Sequence, residues 1–149
     1  MIDGVKVVPI KKYEDKRGWL CEIYRHDEMD VLPTMGYMSW TKPEIARGPH
    51  EHIYQSDVFA FVIGKFRLTL WDNRPESRTY KEKMVLDLGE EKPAYVLIPP
   101  KVVHVYRCLT PTGGMVINLP DRLYKGLGKK EPVDEIRHEE DPNSPFKPE

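Results

Sequence analysis

Gly48-Pro-His50-Glu-His52-Ile-Tyr-Gln-Ser-Asp57-Val-Phe-Ala-Phe-Val-Ile63-Gly64 is the stretch from which the fold can be read. In its second half, Phe59, Phe61 and Ile63 share one side of an extended chain, and Val58, Ala60 and Val62 share the other. A strand apolar on both faces must be covered on both. The second face therefore needs another sheet or another subunit, and a homodimer is expected. In the first half, His50 and His52 stand two residues apart, so on an extended segment they face the same side and can share one ligand. Asp57 has the opposite parity to His52. It joins the histidines only if a turn or bulge lies within residues 53–56.

Similar short runs recur on either side. Residues 5–10, 20–25, 35–41, 58–63, 66–71, 84–88, 95–98, 104–109 and 115–119 read as strands, separated by Gly18, Pro33, Pro43, Gly64, Pro75, Gly89, Pro93, Pro99-Pro100, Pro111 and Gly113-Gly114. Apolar residues at helical spacing are found only over a short turn near 27–31. The fold class is all-β, a sandwich or barrel. Residues 1–128 form this barrel. Residues 129–149, charged and proline-rich, form an extended tail without regular structure, packed on the barrel or on a partner.

Bulk composition narrows the function. The chain has 149 residues, enough for one core, with 40% apolar and 32% charged side chains. No apolar run is long enough for a bilayer span, and the start has no signal-peptide pattern, so no membrane partner and a cytoplasmic location are expected. Two cysteines, Cys21 and Cys108, make no disulfide framework. A formal charge of −1 gives no general attraction to nucleic acid, so an anionic ligand must be held by particular arginines.

The spacing of Gly48-Pro-His50-Glu-His52, Asp57, Gly64 and Pro99-Pro-Lys-Val-Val-His104 resembles the two motifs of the cupins, jelly-roll β-barrels whose His-x-His, acid and later histidine bind a metal. Three imidazoles and a carboxylate suit iron, manganese, zinc or nickel. On this reading His50, His52, Asp57 and His104 hold a divalent ion. The alternative is that the histidines are hydrogen-bonded polar groups of a barrel.

A second resemblance covers residues 8–148. Asp15-Lys-Arg17-Gly, Arg47-Gly-Pro-His50, Asp72-Asn-Arg74-x-x-Ser77, Ile98-Pro-Pro and His104 follow one another in the order of motifs in the dTDP-4-keto-6-deoxyhexose 3,5-epimerase family of cupins, and Ile136-Arg137 with Asp141-Pro142 is similar to a later segment of that family. The resemblance implies an epimerase or isomerase of a nucleotide-linked 4-keto-6-deoxy sugar that needs no cofactor. It implies His50 as the general base, with Arg17 and Arg47 near the nucleotide phosphates, where a guanidinium can grip a diphosphate. Trp19 would stack on the base, and His104 and Asn118 would line the substrate site. The family's enolate-stabilising lysine is replaced here by Asp57, and its catalytic tyrosine falls near Ile117 and Asn118. Tyr124 and Tyr106 are the nearest substitutes. The family's acidic partner of the base histidine lies in a C-terminal segment that this shorter chain is expected to lack.

Three functions stay open: the epimerase, a metal-dependent cupin, and a protein that only binds a nucleotide sugar. The first two make opposite demands on His50, because a nitrogen bound to metal has no lone pair left for a proton. Trp19, Trp40 and Trp71 read as core or interface aromatics. Met35, Met38 and Met115 read as core filler, and His26 and His138 as solvent-facing.

Overall fold

The computed structural model describes residues 1–148. Eleven strands build the body: β1 Lys6–Pro9, β2 Lys12–Asp15, β3 Gly18–Cys21, β4 Tyr37–Thr41, β5 Ala46–Glu51, β6 Asp57–Ile63, β7 Lys65–Asp72, β8 Lys83–Gly89, β9 Ala94–Ile98, β10 Val102–Cys108 and β11 Gly114–Asn118. A short β12, Ile136–Arg137, follows late in the chain, and two single 3-10 turns are the only helical elements among the described residues. One sheet runs β1-β9-β6-β11-β4 and the facing sheet runs β12-β5-β10-β7-β8, while β2 and β3 form a separate hairpin. All pairings are antiparallel. The result is the expected jelly roll.

The two sheets close over one core. Phe59 and Phe61 from β6, Phe66, Leu68 and Leu70 from β7, Val96 and Ile98 from β9, and Tyr106 and Cys108 from β10 interlock there. Burial of this apolar surface stabilises the barrel at roughly 25 cal/mol per Å². The opposite face of β6 is also covered, as its sequence requires. The cover comes from this chain: Ile10 and Met29, with Cys21, Ile23, Tyr24 and Val31, lie over Val58, Ala60 and Val62. The outer face of the other sheet is covered in the same way, with Phe146 packed on Trp71 at 5.6 Å beside Val103 and Val105. Both termini thus serve as cladding, and burial of the second face of β6 needs no other subunit.

Some local expectations change. The strand expected at 20–25 is β3, ending at Cys21, and the short turn expected near 27–31 lies at 26–28. The tail is not without regular structure, since Ile136 pairs with Glu51 and Arg137 with His50. His138 is not solvent-facing: its Nε2 lies 2.8 Å from Glu51 Oε1 and its ring packs on Phe146. Trp71 is a core residue, but Trp19, Trp40 and Met38 are exposed. No helix is long and apolar enough to cross a membrane among the described residues.

Candidate active site

The site lies where the two sheets open into a cleft of about 1560 Å³. From one sheet, β10 places His104 opposite His50 of β5. A bulge sets the rest. The register runs His104 with His50 but Tyr106 with Arg47, so β5 carries one extra residue at Gly48-Pro49. Without it, Arg47 and His50, three residues apart, would face opposite sides. With it, both line the cleft.

The three histidines converge. The rings of His50 and His104 lie 4.4 Å apart, and one nitrogen from each of His50, His52 and His104 falls within 4.8 Å of the others. Asp57, at the start of β6 in the facing sheet, closes the group, its Oδ2 lying 3.2 Å from His52 Nε2 and 3.5 Å from His104 Nε2. The turn over 53–56 that parity demands is present, and Asp134 holds it. The Asp134 carboxylate accepts the backbone N–H groups of Ile53 at 3.0 Å, and of Tyr54 and Gln55 at 2.9 Å each. Its backbone carbonyl meets His52 Nδ1. His104 Nδ1 pairs with the Val102 carbonyl at 3.0 Å, leaving its buried Nε2 without a hydrogen-bond partner.

The electrostatics follow from burial. Burial, reinforced by the neighbouring imidazoles, pushes His50 down to about 2, so it is neutral at pH 7. Burial acts against His52 as well, but its hydrogen bond to Asp57 and the Asp57 charge outweigh it and lift His52 to about 9. Burial would raise Asp57, yet the His52 hydrogen bond and the surrounding charge and amide hold it down at about 2. His104 is lowered, chiefly by burial.

The C-terminal segment contributes more than the sequence suggested. By pairing β12 with β5 it brings Glu135 Oε1 to 3.8 Å and Glu139 Oε1 to 3.9 Å from His50 Nδ1. His50 therefore has two carboxylates beside it, from a segment the sequence was expected to lack. They went unread because they sit in a charged, proline-rich stretch that gives no local strand signal.

The remaining sequence candidates are dispersed. Tyr106 is buried on β10, its hydroxyl 2.8 Å from Ser39 Oγ. Tyr124 is exposed on the loop that overhangs the cleft. Asn118, buried on β11, donates from Nδ2 to Asp57 Oδ1 at 2.7 Å and to the Tyr37 hydroxyl at 3.0 Å. Tyr37 also lines the cleft and was not singled out by sequence. Arg47 donates to Thr41 Oγ1 at 3.0 Å and to the Trp40 carbonyl at 2.9 Å. Arg17 and Trp19 lie outside the cleft of their own chain, on the β2–β3 hairpin, where Arg17 is paired with Asp15 at 2.5 Å.

The Asp72-x-Arg74-x-x-Ser77 motif takes no part in the cleft. Its buried carboxylate closes a loop by accepting from Arg74, Ser77 and Thr79.

Known proteins resemble this chain in sequence and fold. The chain is 40% identical over 126 residues to the spore coat polysaccharide biosynthesis protein SpsL of Bacillus subtilis (strain 168), covering 83% of each chain. It is 31% identical, again over 126 residues, to the probable low-salt glycan biosynthesis epimerase Agl13 of Haloferax volcanii, covering 83% of this chain and 81% of that one. Among solved structures, a dTDP sugar isomerase from Desulfovibrio desulfuricans G20 superposes with a TM-score of 0.85 at 21% identity, covering 98% of this chain and 91% of the other. ChmJ, a 3'-monoepimerase from Streptomyces bikiniensis solved with dTDP-quinovose, superposes with a TM-score of 0.79 at 18% identity, covering 91% of this chain and 70% of the other. These two likenesses establish the jelly roll. The family model for dTDP-4-dehydrorhamnose 3,5-epimerase matches residues 1–129, and with the SpsL likeness it makes this chain a member of that sugar-nucleotide epimerase family.

Proposed function

We propose that the protein inverts a carbon beside the ketone of a nucleotide-linked 4-keto-6-deoxy sugar, with His50 as the general base. The carrying observation is a half-buried histidine lining a large cleft, with the Glu135 and Glu139 carboxylates 3.8 and 3.9 Å from its Nδ1. Neutral imidazole is the form that accepts a proton. Glu135 and Glu139 stand where the resulting positive charge develops, and such contacts shorten when substrate fills a site. Arg47, three residues before the base and on the same cleft, suits the diphosphate. The dTDP ligands of structural relatives support a thymidine nucleotide. Free thiols at Cys21 and Cys108 accord with a reducing cytoplasm.

A homodimer is part of this reading. On the edge strand β4, Met38 and Trp40 present an apolar outer face, 68% and 53% exposed. Since Arg17 and Trp19 lie outside their own chain's cleft, any contact they make with the nucleotide runs through a second copy.

A metal-dependent reading is favoured by a different observation. His52 and His104 each engage Nδ1 with a backbone carbonyl, which leaves Nε2 of both turned to Asp57. A carbonyl held on the far nitrogen in this way fixes the orientation of a ligand histidine. With His50, these groups would hold a borderline divalent ion, which would polarise a bound carbonyl or water.

The variant His50→Asn separates the readings. As base, its loss lowers exchange of substrate C–H protons into deuterated water by about 10²–10⁴-fold and leaves nucleotide affinity nearly intact. As ligand, its loss lowers metal content, and His52→Asn does so equally. Mass spectrometry of a dTDP-4-keto-6-deoxy sugar, beside elemental analysis of both variants, provides the readout. Exchange that survives in His50→Asn rejects the base assignment.

A further inference from the structure

An epimerase of this kind needs two proton-transfer groups on opposite faces of the sugar ring. His50 rises from β5 in one sheet. Neither of the tyrosines read from the sequence stands on a strand of the other sheet. Tyr106 stands on β10, next to β5, with its hydroxyl engaged by Ser39. Tyr124 lies on an exposed loop.

The opposite wall holds another phenol. Tyr37 begins β4, lines the cleft and is registered directly against Asn118 of β11, which is registered in turn against Phe59 of β6. Resting on the epimerase reading above, we infer that Tyr37 is the proton donor of this site, acting on the face of the sugar away from His50. The hydrogen bonding carries the assignment. Asp57 accepts from Asn118 Nδ2, which fixes which end of the amide faces inward, and the second Nδ2 hydrogen goes to the Tyr37 oxygen. The Tyr37 hydroxyl therefore acts as an acceptor toward Asn118 and keeps its own proton for another partner. Its neighbours on the same face of β4, Ser39 and Thr41, are polar, as befits the wall of a sugar site. The phenol, pushed up by burial to about 12, carries its proton at neutral pH.

The step balances. His50 takes the proton from the carbon beside the ketone, and the electrons of that C–H bond move into a carbon–carbon double bond as the ketone becomes an enolate. The enolate then collapses, and its carbon takes the Tyr37 proton on the opposite face. Solvent restores the phenol and removes the proton from His50.

The test is Tyr37→Phe beside Tyr124→Phe and wild type, with a dTDP-4-keto-6-deoxy sugar in deuterated water. NMR reads the configuration and mass spectrometry the deuterium. The expected result is that Tyr37→Phe forms the epimer at least about 10²-fold more slowly, while deuterium still enters sugar of the starting configuration. Retained exchange also demonstrates a folded, occupied site. Epimer formed at the wild-type rate, or loss of exchange together with epimer, overturns the assignment. So does finding retained exchange without epimer in Tyr124→Phe instead. Wild-type protein that neither exchanges nor epimerises refutes the epimerase reading itself, a result separable from all of these.

Discussion

Asp57 and Asp72 are equally buried, each 1% exposed, and lie at the start of β6 and the end of β7. They are satisfied in opposite ways. Asp72 accepts from the backbone N–H of Arg74 at 3.1 Å, from its Nε at 2.8 Å and Nη2 at 2.9 Å, from Ser77 Oγ at 2.5 Å and from Thr79 Oγ1 at 2.6 Å. Every partner lies within one short loop, and nothing there faces the cleft. Asp57 accepts from Gln55 and Asn118, and meets His52 and His104 from the facing sheet. A carboxylate that closes a local loop shapes the chain. One whose partners come from separate strands at a cleft gathers a reactive group.

The sharpest way to break this contrast is Asp72→Ala. It leaves the Arg74 guanidinium, itself half-buried, without its counter-charge, which costs about 3–5 kcal/mol of stability by denaturant unfolding. At temperatures where the variant stays folded, exchange of substrate C–H protons continues. A stable Asp72→Ala protein would mean that the motif is not a structural clasp.

Asp57→Asn has a smaller effect on folding, about 1.5–3 kcal/mol, and a larger one on pH dependence. His52 is raised from 6.5 to about 9 in the folded protein, so the stability it gains from Asp57 is complete below about 6.5 and lost as pH rises to about 9. Asp57 is lowered to about 2, so its own contribution is present above its ordinary value of 3.8 and lost as pH falls toward 2. Wild-type melting temperature therefore declines between pH 6.5 and 9, and Asp57→Asn removes that decline. An unchanged slope in the variant would assign the alkaline loss to another group.

Ser77→Ala is the smallest change. It removes one of five hydrogen bonds to Asp72 and costs about 1 kcal/mol, read as a shifted denaturation midpoint with unchanged slope.

Much of this molecule was legible. The two apolar faces of β6 announced a covered strand, and the parity of Asp57 announced the turn at 53–56. What stayed hidden depends on distant partners. β5 contains Ala, Arg, Gly, Pro, His and Glu, with no β-branched or aromatic residue, and it is a strand because β10 and β12 flank it. β12 is too short and polar to register alone. Tyr37 was not singled out, but β4 carried a signal. Tyr37, Ser39 and Thr41 alternate with Met38 and Trp40, and the polar set faces inward while the apolar set faces out, the reverse of a simple barrel wall.

The pairing of β12 with β5 also orders events during synthesis. Every strand of the barrel proper precedes residue 119, whereas Asp134, Glu135 and Glu139 emerge from the ribosome later. Domains fold as their residues become available. A nascent barrel can therefore close around its core while the turn at 53–56 lacks its clamp and His50 lacks its carboxylates. Competence arrives last, and a chain released early would be a folded shell without a working site.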